Sequence, residues 1–326
     1  MLTRFIRSKG DRVNKPKILV IPDVPGWALE RTADNVIHRL THLFDFEKAF
    51  NQNAEEKIRR GDFDLLYITD FPQVKQAGIT SKLPKNTITG IRCHFKWDGG
   101  QGLPPSFETI EFLQQFKAIN VPSLILFDIF KNHHPALFYT PHGVDHRLFC
   151  PRPKGPIASP PGKLILGWAG SRTNHPGKRG IEDFILPALE GLSGVKFIMA
   201  DRETRWRSHP EMVFFYQGLD AYICASRTEG GPHPLLEASA CGIPVISTRV
   251  GIAPELIEDG VNGILIERSI TAIREAVILL RDNRDLRIEM GEKARKKIEE
   301  SWTWDIQSQK YIPFFMFGLE GKNYSI

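Results

Sequence analysis

Short apolar runs rich in β-branched residues alternate along the chain with stretches whose apolar positions recur every three to four residues. The first kind predicts buried strands and the second predicts helices. In the first half, strands are predicted at 17–22, 64–69, 87–92 and 123–127. Helices are predicted around 36–44 and over 106–117, where Ser106 can cap the first turn. Strands alternating with helices predict a parallel sheet covered on both faces.

The alternation stops at a proline-rich segment and then begins again. Residues 150–162 read CPRPKGPIASPPG, with five prolines, which predicts a linker over 151–162. Beyond it, strands are predicted at 163–168, 195–200, 221–225, 244–248 and 263–266, and the chain is mostly helical from Ser269. We therefore expect an α/β protein with two doubly wound, Rossmann-like domains, whose ligand site lies in the cleft between them. The expected domains are 1–150 and 163–304, with a C-terminal helix in 305–326 packing back on the first domain.

Composition excludes several classes of protein. The 326 residues include 43 Lys and Arg against 38 Asp and Glu, a net charge of +5 spread along the chain, which does not favour a nucleic-acid partner. The four cysteines form no C-x-x-C pair, so we expect reduced thiols and a cytoplasmic protein. No apolar run approaches the ~18 residues of a membrane span.

The most informative segment runs over 226–266. Glu229 and Glu237 have seven residues between them, and these include a Gly-Gly-Pro-His-Pro turn. Pro234 suits the first position of a helix, which would place Glu237 in the first turn. The free N–H groups of a helix start bind anions, and a carboxylate can accept both protons of a vicinal diol. This pattern indicates a site for a sugar together with a phosphate.

The same segment resembles the family 4 glycosyltransferases, which have the GT-B fold. The family carries Glu, seven residues, Glu, then an A-x-G-x-P-V-I strand and a G-G-x-x-E-x-I-like turn. Here the last two read ACGIPVIST and VGIAPELIEDGVNG. YTPHGVDHRLF at 139–149 is similar to the segment that links the family's two domains. The resemblance is strongest over 139–304, whereas the first 135 residues match only in the order of strands and helices.

The resemblance implies a role for each matched residue. Glu237 would bind the donor ribose, and Glu229 would contact the donor sugar near the reacting carbon. Backbone groups of the turn and helix start would meet the sugar and diphosphate, through Gly231, His233, Pro234 and Leu235. Glu237 taken alone would be better explained as complementing the helix dipole, and the surrounding motif reverses that preference.

Further roles follow from weaker matches. Arg172 and Lys178 resemble the family's basic pair on the diphosphate, but the spacing leaves Arg179 as a rival of Lys178. His94 resembles a catalytic histidine that faces the donor sugar, with a buried core histidine as the alternative. The family's glycine-rich first loop is reduced to PDVPGW, where Gly26 and Trp27 are candidates for the acceptor side.

Metal and dinucleotide sites are not predicted. His38 and His42 have metal-ligand spacing on a helix, but neither an H-E-x-x-H glutamate nor a third ligand accompanies them. Asp62 and Asp64 imitate a D-x-D metal motif at what is better explained as a turn before a strand. No G-x-G-x-x-G follows a strand, which argues against a Rossmann dehydrogenase. We expect no metal or other cofactor.

The resemblance implies a retaining glycosyltransferase that moves a sugar from a nucleoside diphosphate sugar to an acceptor hydroxyl. A nucleotide-sugar epimerase of the same fold, or an inactive sugar-nucleotide-binding protein, remains as the alternative. The acceptor could be a carbohydrate, a lipid-linked sugar or another hydroxyl compound. Basic residues near the N-terminus and the apolar stretch 311–319 would allow weak peripheral membrane contact, although packing of this stretch on the first domain is favoured. The nucleotide base, the sugar, the acceptor and the linkage are not specified by the sequence.

Overall fold

The computed structural model describes residues 15–94, 97, 103–153, 155, 158–173 and 177–321. In this part of the chain, eleven strands form two separate sheets in which every neighbouring pair is parallel. The first sheet has the order β2-β1-β3-β4-β5-β6, and its strands are β1 (Lys17–Ile21), β2 (Asp45–Lys48), β3 (Leu65–Ile68), β4 (Thr87–Gly90), β5 (Ala118–Val121) and β6 (Leu137–Tyr139). The second has the order β11-β10-β9-β7-β8, and its strands are β7 (Leu164–Gly170), β8 (Val195–Asp201), β9 (Ala221–Cys224), β10 (Val245–Thr248) and β11 (Gly263–Ile266).

Helices cover both faces of each sheet. Those of the first half are α1 (Ala28–Leu40), α2 (Ala54–Arg60), α3 (Gln73–Gln76), α4 (Phe107–Leu113) and α5 (Leu124–Phe130). Those of the second half are α6 (Leu186–Leu189), α7 (His209–Gln217), α8 (His233–Ala240), α9 (Ala253–Leu256), α10 (Ile270–Asp282), α11 (Arg284–Lys297), α12 (Trp304–Gln307) and α13 (Tyr311–Leu319). π-helical turns at Ile181–Ile185 and Ile298–Trp302 and a 3-10 turn at Ser308–Lys310 adjoin them. The predicted fold class, two doubly wound α/β domains, is confirmed.

One predicted strand is wrong. The run Ser123–Phe127 begins α5, because the Ser123 hydroxyl accepts a hydrogen bond from the Leu126 N–H and caps the helix. The strand of this region is β5, whose polar Asn120 hid it from the hydrophobic pattern. Asn120 is fully buried, and its side chain accepts from Arg92 (2.7 Å) and donates to Thr140 (2.7 Å). A buried polar group is tolerated inside the sheet because its partners satisfy it.

The chain passes between the two domains twice, near Val144 and near Trp304, and hydrogen bonds join these two segments. The Val144 N–H donates to the Trp302 carbonyl (2.9 Å), and the Trp304 N–H donates to the Val144 carbonyl (3.2 Å). Gly143 allows this contact, since a Cβ there would lie 2.6 Å from the Trp304 nitrogen. The connection places the start of α1 opposite the carboxyl ends of β7, β8 and β9.

After the second crossing, α13 packs against the first sheet. Phe314 and Phe315 are buried, with ring centroids 5.5 and 5.6 Å from that of Tyr67 in β3. A Cβ at Gly318 would lie 2.6 Å from Leu65, so a larger residue would push the helix away from the sheet. The apolar face of 311–319 therefore fills the core of the first domain, while the basic residues at positions 4–12 lie outside the described residues.

Candidate functional site

A cleft of about 350 Å³ opens between the two domains at the carboxyl ends of the second sheet's strands. The start of α1 forms its wall on the first domain. On the second domain, it is lined by the ends of β7 and β8, the segment after β9 and the first turns of α8. Parallel α/β sheets bind ligands at this edge, where strand ends and helix starts converge. Glu229 and Glu237 both lie in this cleft.

Glu237 is buried and held by a tyrosine. It is the fifth residue of α8, because Pro232 caps the helix and His233 begins it. Glu237 therefore lies just beyond the predicted first turn, and Pro234 is the second helical residue rather than the first. The Tyr216 hydroxyl of α7 donates to Glu237 Oε2 at 2.8 Å. A carboxylate oxygen has two lone pairs, so the group keeps the capacity to accept two further hydroxyl protons.

Glu229 is buried on the loop after β9 and is surrounded by donors. Its Oε1 accepts from the Ser226 hydroxyl (2.8 Å) and pairs closely with the Arg179 guanidinium, while Lys178 Nζ lies 3.8 Å from Oε2. Burial raises the pKa of Glu229, but the positive charges of Arg179 and Lys178 outweigh burial and hold the pKa below its usual value. The carboxyl group is therefore kept ionised and fixed in position.

Two glycines let the Glu229 loop approach the first domain. A Cβ at Gly230 would collide with the carbonyl oxygen of Arg92, and one at Gly231 would collide with the ring of His142. Both glycines are required by close packing between domains. The loop that carries Glu229 is thereby fixed against the segment after β4 and the segment after β6.

The helix start beside this loop has fewer N–H donors than most. Pro232 and Pro234 have none, and the Leu235 N–H already donates to the Pro232 carbonyl at 3.1 Å. His233 begins the helix, and its ring stacks on that of His142 with a centroid distance of 4.4 Å. Burial lowers the pKa of His233 to about 3, with further contributions from Arg31 and His209. The His233 side chain is therefore neutral at physiological pH.

This part of the chain also matches a known family. Residues 204–297 match the sequence model described as "Glycosyl transferases group 1", a stretch that includes Glu229, Glu237 and the turn between them. The matched stretch covers 94 of the 326 residues, and this segment is similar to the group 1 glycosyltransferases. The predicted resemblance is thereby confirmed for the segment on which it mainly rested.

Curated relatives match over a similar length. The GDP-mannose-dependent alpha-(1-6)-phosphatidylinositol monomannoside mannosyltransferase of Mycobacterium tuberculosis is 36% identical over 80 residues, which is 24% of this chain and 21% of that protein. The N-acetyl-alpha-D-glucosaminyl L-malate synthase of Bacillus anthracis is 39% identical over 84 residues, which is 26% of this chain and 22% of that protein. The matched region thus spans about a fifth of each relative's own length.

The fold is shared over nearly the whole chain. Sucrose-phosphate synthase from Thermosynechococcus elongatus superposes with a TM-score of 0.68 at 12% identity, covering 93% of this chain and 98% of that one. The architecture is therefore GT-B, as expected from the sequence.

The candidate basic residues lie in different places. Arg172 is exposed, and its guanidinium bonds to Glu182 at 2.6 Å. Lys178 is buried, and Arg179 lines the cleft in direct contact with Glu229. The sequence left Lys178 and Arg179 as rivals, and the structure places Arg179 closer to the carboxylate. The roles of Arg172 and Lys178 toward a diphosphate stay predictions.

Of the three candidate residues from the first domain, two line the cleft and one does not. Gly26, with φ of +77°, and Trp27 lie at the start of α1 and line the cleft. His94 is buried on the segment after β4, with its ring 5.3 Å from that of Trp97. It is not among the described residues that line the cleft, although Arg92, two positions earlier, packs on Gly230.

A group of basic and aromatic residues that line the cleft was not predicted from the sequence. These are Arg31 of α1 and, after β8, Arg202, Arg205, Trp206 and Arg207. The sequence signal was present as RETRWR directly after a predicted strand, which alternates basic residues and contains an aromatic one. It was missed because it lies outside the motifs on which the resemblance was based.

The described residues contain neither a metal-ligating cluster nor a membrane-spanning helix. No three or more His, Cys, Asp and Glu side chains in them are grouped so that they could hold a metal ion. None of their helices has the length and apolar character needed to cross a membrane.

Proposed function

We propose that the protein transfers a sugar from a nucleoside diphosphate sugar to an acceptor hydroxyl, with retention at the anomeric carbon. The observation that carries the proposal is the pair of fixed carboxylates in one cleft at the start of α8. Glu237 is oriented by Tyr216, and Glu229 is oriented by Ser226 and Arg179. The match of residues 204–297 to the group 1 glycosyltransferases and the GDP-mannose dependence of the Mycobacterium tuberculosis relative support this class of donor.

Each of the two carboxylates would bind a different part of the donor. Glu237 lies on the helix, where its remaining lone pairs suit the two hydroxyls of a ribose. Glu229 lies on the loop that faces the first domain, which suits a sugar placed between the domains. Its charge is compensated by Arg179 and Lys178, so the ionised carboxylate can accept sugar hydroxyls without titrating near neutral pH.

Transfer breaks the bond between the anomeric carbon and the diphosphate oxygen, and the electron pair leaves with the diphosphate. The acceptor oxygen bonds to the same carbon from the same face, and its proton passes to the departing phosphate oxygen. Arginine guanidiniums at the cleft would stabilise the negative charge that develops on the diphosphate. We propose that these side chains suffice without a metal ion, and that a chelator leaves the activity unchanged.

A thermal-shift screen tests the proposal. UDP, GDP, ADP and their sugars are each added to the wild type, since a ligand that binds only the folded protein raises the melting temperature. We expect one nucleotide to stabilise the protein and Glu237→Gln to lose that shift. Glu289→Gln, on the exposed side of α11, is the matched control that keeps it. Failure of every nucleotide to shift the wild type would contradict the proposal.

A further inference from the structure

One carboxylate of the second domain is bound by the first domain at two points. Glu255 lies in α9, after β10, and is partly buried at the boundary between the domains. Its Oε1 accepts a hydrogen bond of 2.8 Å from the N–H of Leu124, the first residue of α5. Its Oε2 accepts a close hydrogen bond from the Tyr139 hydroxyl at the end of β6. These contacts join α9 to the carboxyl edge of the first sheet.

Hydrogen bonds hold this carboxylate more strongly than charge does. Lys310 Nζ lies 4.6 Å from the centroid of the Tyr139 ring, on the side of the first domain. Burial raises the pKa of the Glu255 carboxyl. The two hydrogen bonds and, less strongly, the charge of Lys310 lower the same pKa without cancelling the effect of burial. A neutral side chain that accepts the same hydrogen bonds should therefore replace much of the contact.

The segment after β10 also packs on the loop that carries Glu229. Gly251 has φ of +51°, and a Cβ there would lie 2.6 Å from the Gly230 carbonyl oxygen. At the end of β10, the Thr248 hydroxyl donates to the Ser226 carbonyl at 2.7 Å. The Ser226 hydroxyl in turn donates to Glu229 at 2.8 Å. The position of the Glu229 carboxylate therefore depends on where the segment after β10 lies.

Gly251 and Glu255 belong to one hydrogen-bonded turn. The Ala253 N–H donates to the Val250 carbonyl at 2.9 Å, and the Glu255 N–H donates to the Ile252 carbonyl at 3.0 Å. A close-packed turn of this kind moves as a unit and transmits a displacement from one end to the other. A shift of Glu255 relative to the first domain would therefore also move Gly251 and the loop packed against it.

We infer that Glu255 is a positioning residue for sugar transfer, which fixes the Glu229 loop by holding α9 against the first domain. The inference rests on the proposed function for the role of Glu229. Glu237 is oriented by Tyr216, a contact within the second domain. A misplacement of about 1 Å at a reacting centre can lower a rate about a hundredfold. Loss of the Glu255 contact should therefore lower kcat and leave the affinity for the free nucleotide nearly unchanged.

Substitutions of Glu255 test the inference through the release of nucleoside diphosphate from UDP-glucose, GDP-mannose and ADP-glucose. Glu255→Ala removes both hydrogen bonds and should lower kcat about tenfold or more. Glu255→Gln should retain most of the turnover, because its amide oxygen can accept from Leu124 and its amide N–H can donate to the Tyr139 oxygen. Calorimetry measures the affinity of each variant for UDP, GDP and ADP. Glu258→Ala removes an exposed carboxylate just after α9 and should behave as the wild type does.

A second variant acts on the other side of the contact. Tyr139→Phe removes one of the two hydrogen bonds and should lower kcat by a smaller factor than Glu255→Ala. In the double variant, the two losses should not multiply, because both substitutions remove the same hydrogen bond. Independent effects of the two substitutions would show that the pair does not act as a unit.

Amide hydrogen exchange tests the positioning in the free protein, without any nucleotide sugar. The Arg227 N–H of the Glu229 loop donates to the Lys178 carbonyl at 2.8 Å. If Glu255 fixes this loop, the Arg227 amide should exchange about tenfold faster in Glu255→Ala than in the wild type. Glu258→Ala should leave that exchange rate unchanged.

Three results would overturn the inference. These are an unchanged kcat in Glu255→Ala, a loss of free-nucleotide affinity as large as the loss of kcat, and a loss of turnover in Glu255→Gln as large as in Glu255→Ala. If the wild type turns over none of the three nucleotide sugars, the proposed function fails instead. The exchange rate of the Arg227 amide then still decides whether Glu255 fixes the loop.

Discussion

Burial of His233 predicts a specific dependence of stability on pH. The His233 ring is buried against His142, and among the described residues its Nε2 has no hydrogen-bond partner. Burial lowers the pKa to about 3 in the folded protein, whereas an unfolded histidine has a pKa of about 6.5. Between these values, the unfolded chain binds the proton and the folded chain does not. The free energy of unfolding therefore falls as the pH falls below about 6.5.

The size of the effect depends on how far the pH lies below the pKa of His233 in the unfolded chain. At pH 5, about 1.5 units below it, His233 removes about 2 kcal/mol of stability relative to pH 7.5. His233→Phe keeps a flat ring beside His142 and has no proton to bind. The loss of stability between pH 7.5 and pH 5 should then be about 2 kcal/mol smaller in the variant than in the wild type.

Urea unfolding of both proteins at pH 7.5 and pH 5.0 measures this difference. The comparison cancels the titrating groups that do not contact His233, provided that the variant folds at pH 7.5. His142 remains in both proteins, and burial lowers its pKa, to which His233 contributes further. His38→Gln, at an exposed position of α1, serves as the control and should retain the wild-type pH dependence. An identical pH dependence in His233→Phe and the wild type would refute the reasoning, since His233 would then not be held neutral by burial.

Three other predictions follow from the site. Arg179→Gln should lower turnover more than Lys178→Gln, because Arg179 contacts Glu229 directly while Lys178 lies 3.8 Å away. Steady-state rates of the two variants measure this difference, and equal losses of turnover would contradict the prediction. Gly230→Ala should destabilise the protein by about 1–3 kcal/mol, because its Cβ would collide with the Arg92 carbonyl; urea unfolding measures this, with Gly61→Ala as a strained but uncrowded control. A chelator should leave sugar transfer unchanged, and loss of activity restored by Mg²⁺ or Mn²⁺ would show that a metal is needed.

Much of the fold could be predicted because most strands are continuous apolar runs. β1, β3, β4, β9, β10 and β11 fall within predicted strands, and β7 and β8 overlap theirs but run one or two residues further. β2 was missed because its sequence, DFEK, is mostly charged. β5 was missed because Asn120, satisfied by Arg92 and Thr140, breaks the apolar pattern. Such strands are stabilised by partners that are distant in sequence, and a local hydrophobic pattern carries no information about those partners.

The residues of the candidate site also differ in whether the local sequence predicts them. Glu229 and Glu237 could be predicted because their spacing is fixed by one loop and one helix. Tyr216 could not be paired with Glu237 from sequence, since the contact between α7 and α8 is a tertiary one that no local pattern contains. The stacking of Arg202 on Trp27 joins residues 175 positions apart in different domains, and nothing in either local segment specifies it.

Calorimetric titration of the nucleotide into Glu237→Gln and Glu229→Gln, together with turnover of the nucleotide sugar by both, tests the central claim most directly. Gln cannot accept two diol protons as a carboxylate does, so Glu237→Gln should weaken the free nucleotide by about tenfold or more. Glu229→Gln should bind the free nucleotide nearly as the wild type does and lose turnover, because its partner is the sugar. Equal weakening of free nucleotide by both substitutions, or full turnover in Glu229→Gln, would contradict the division of the donor between the two carboxylates.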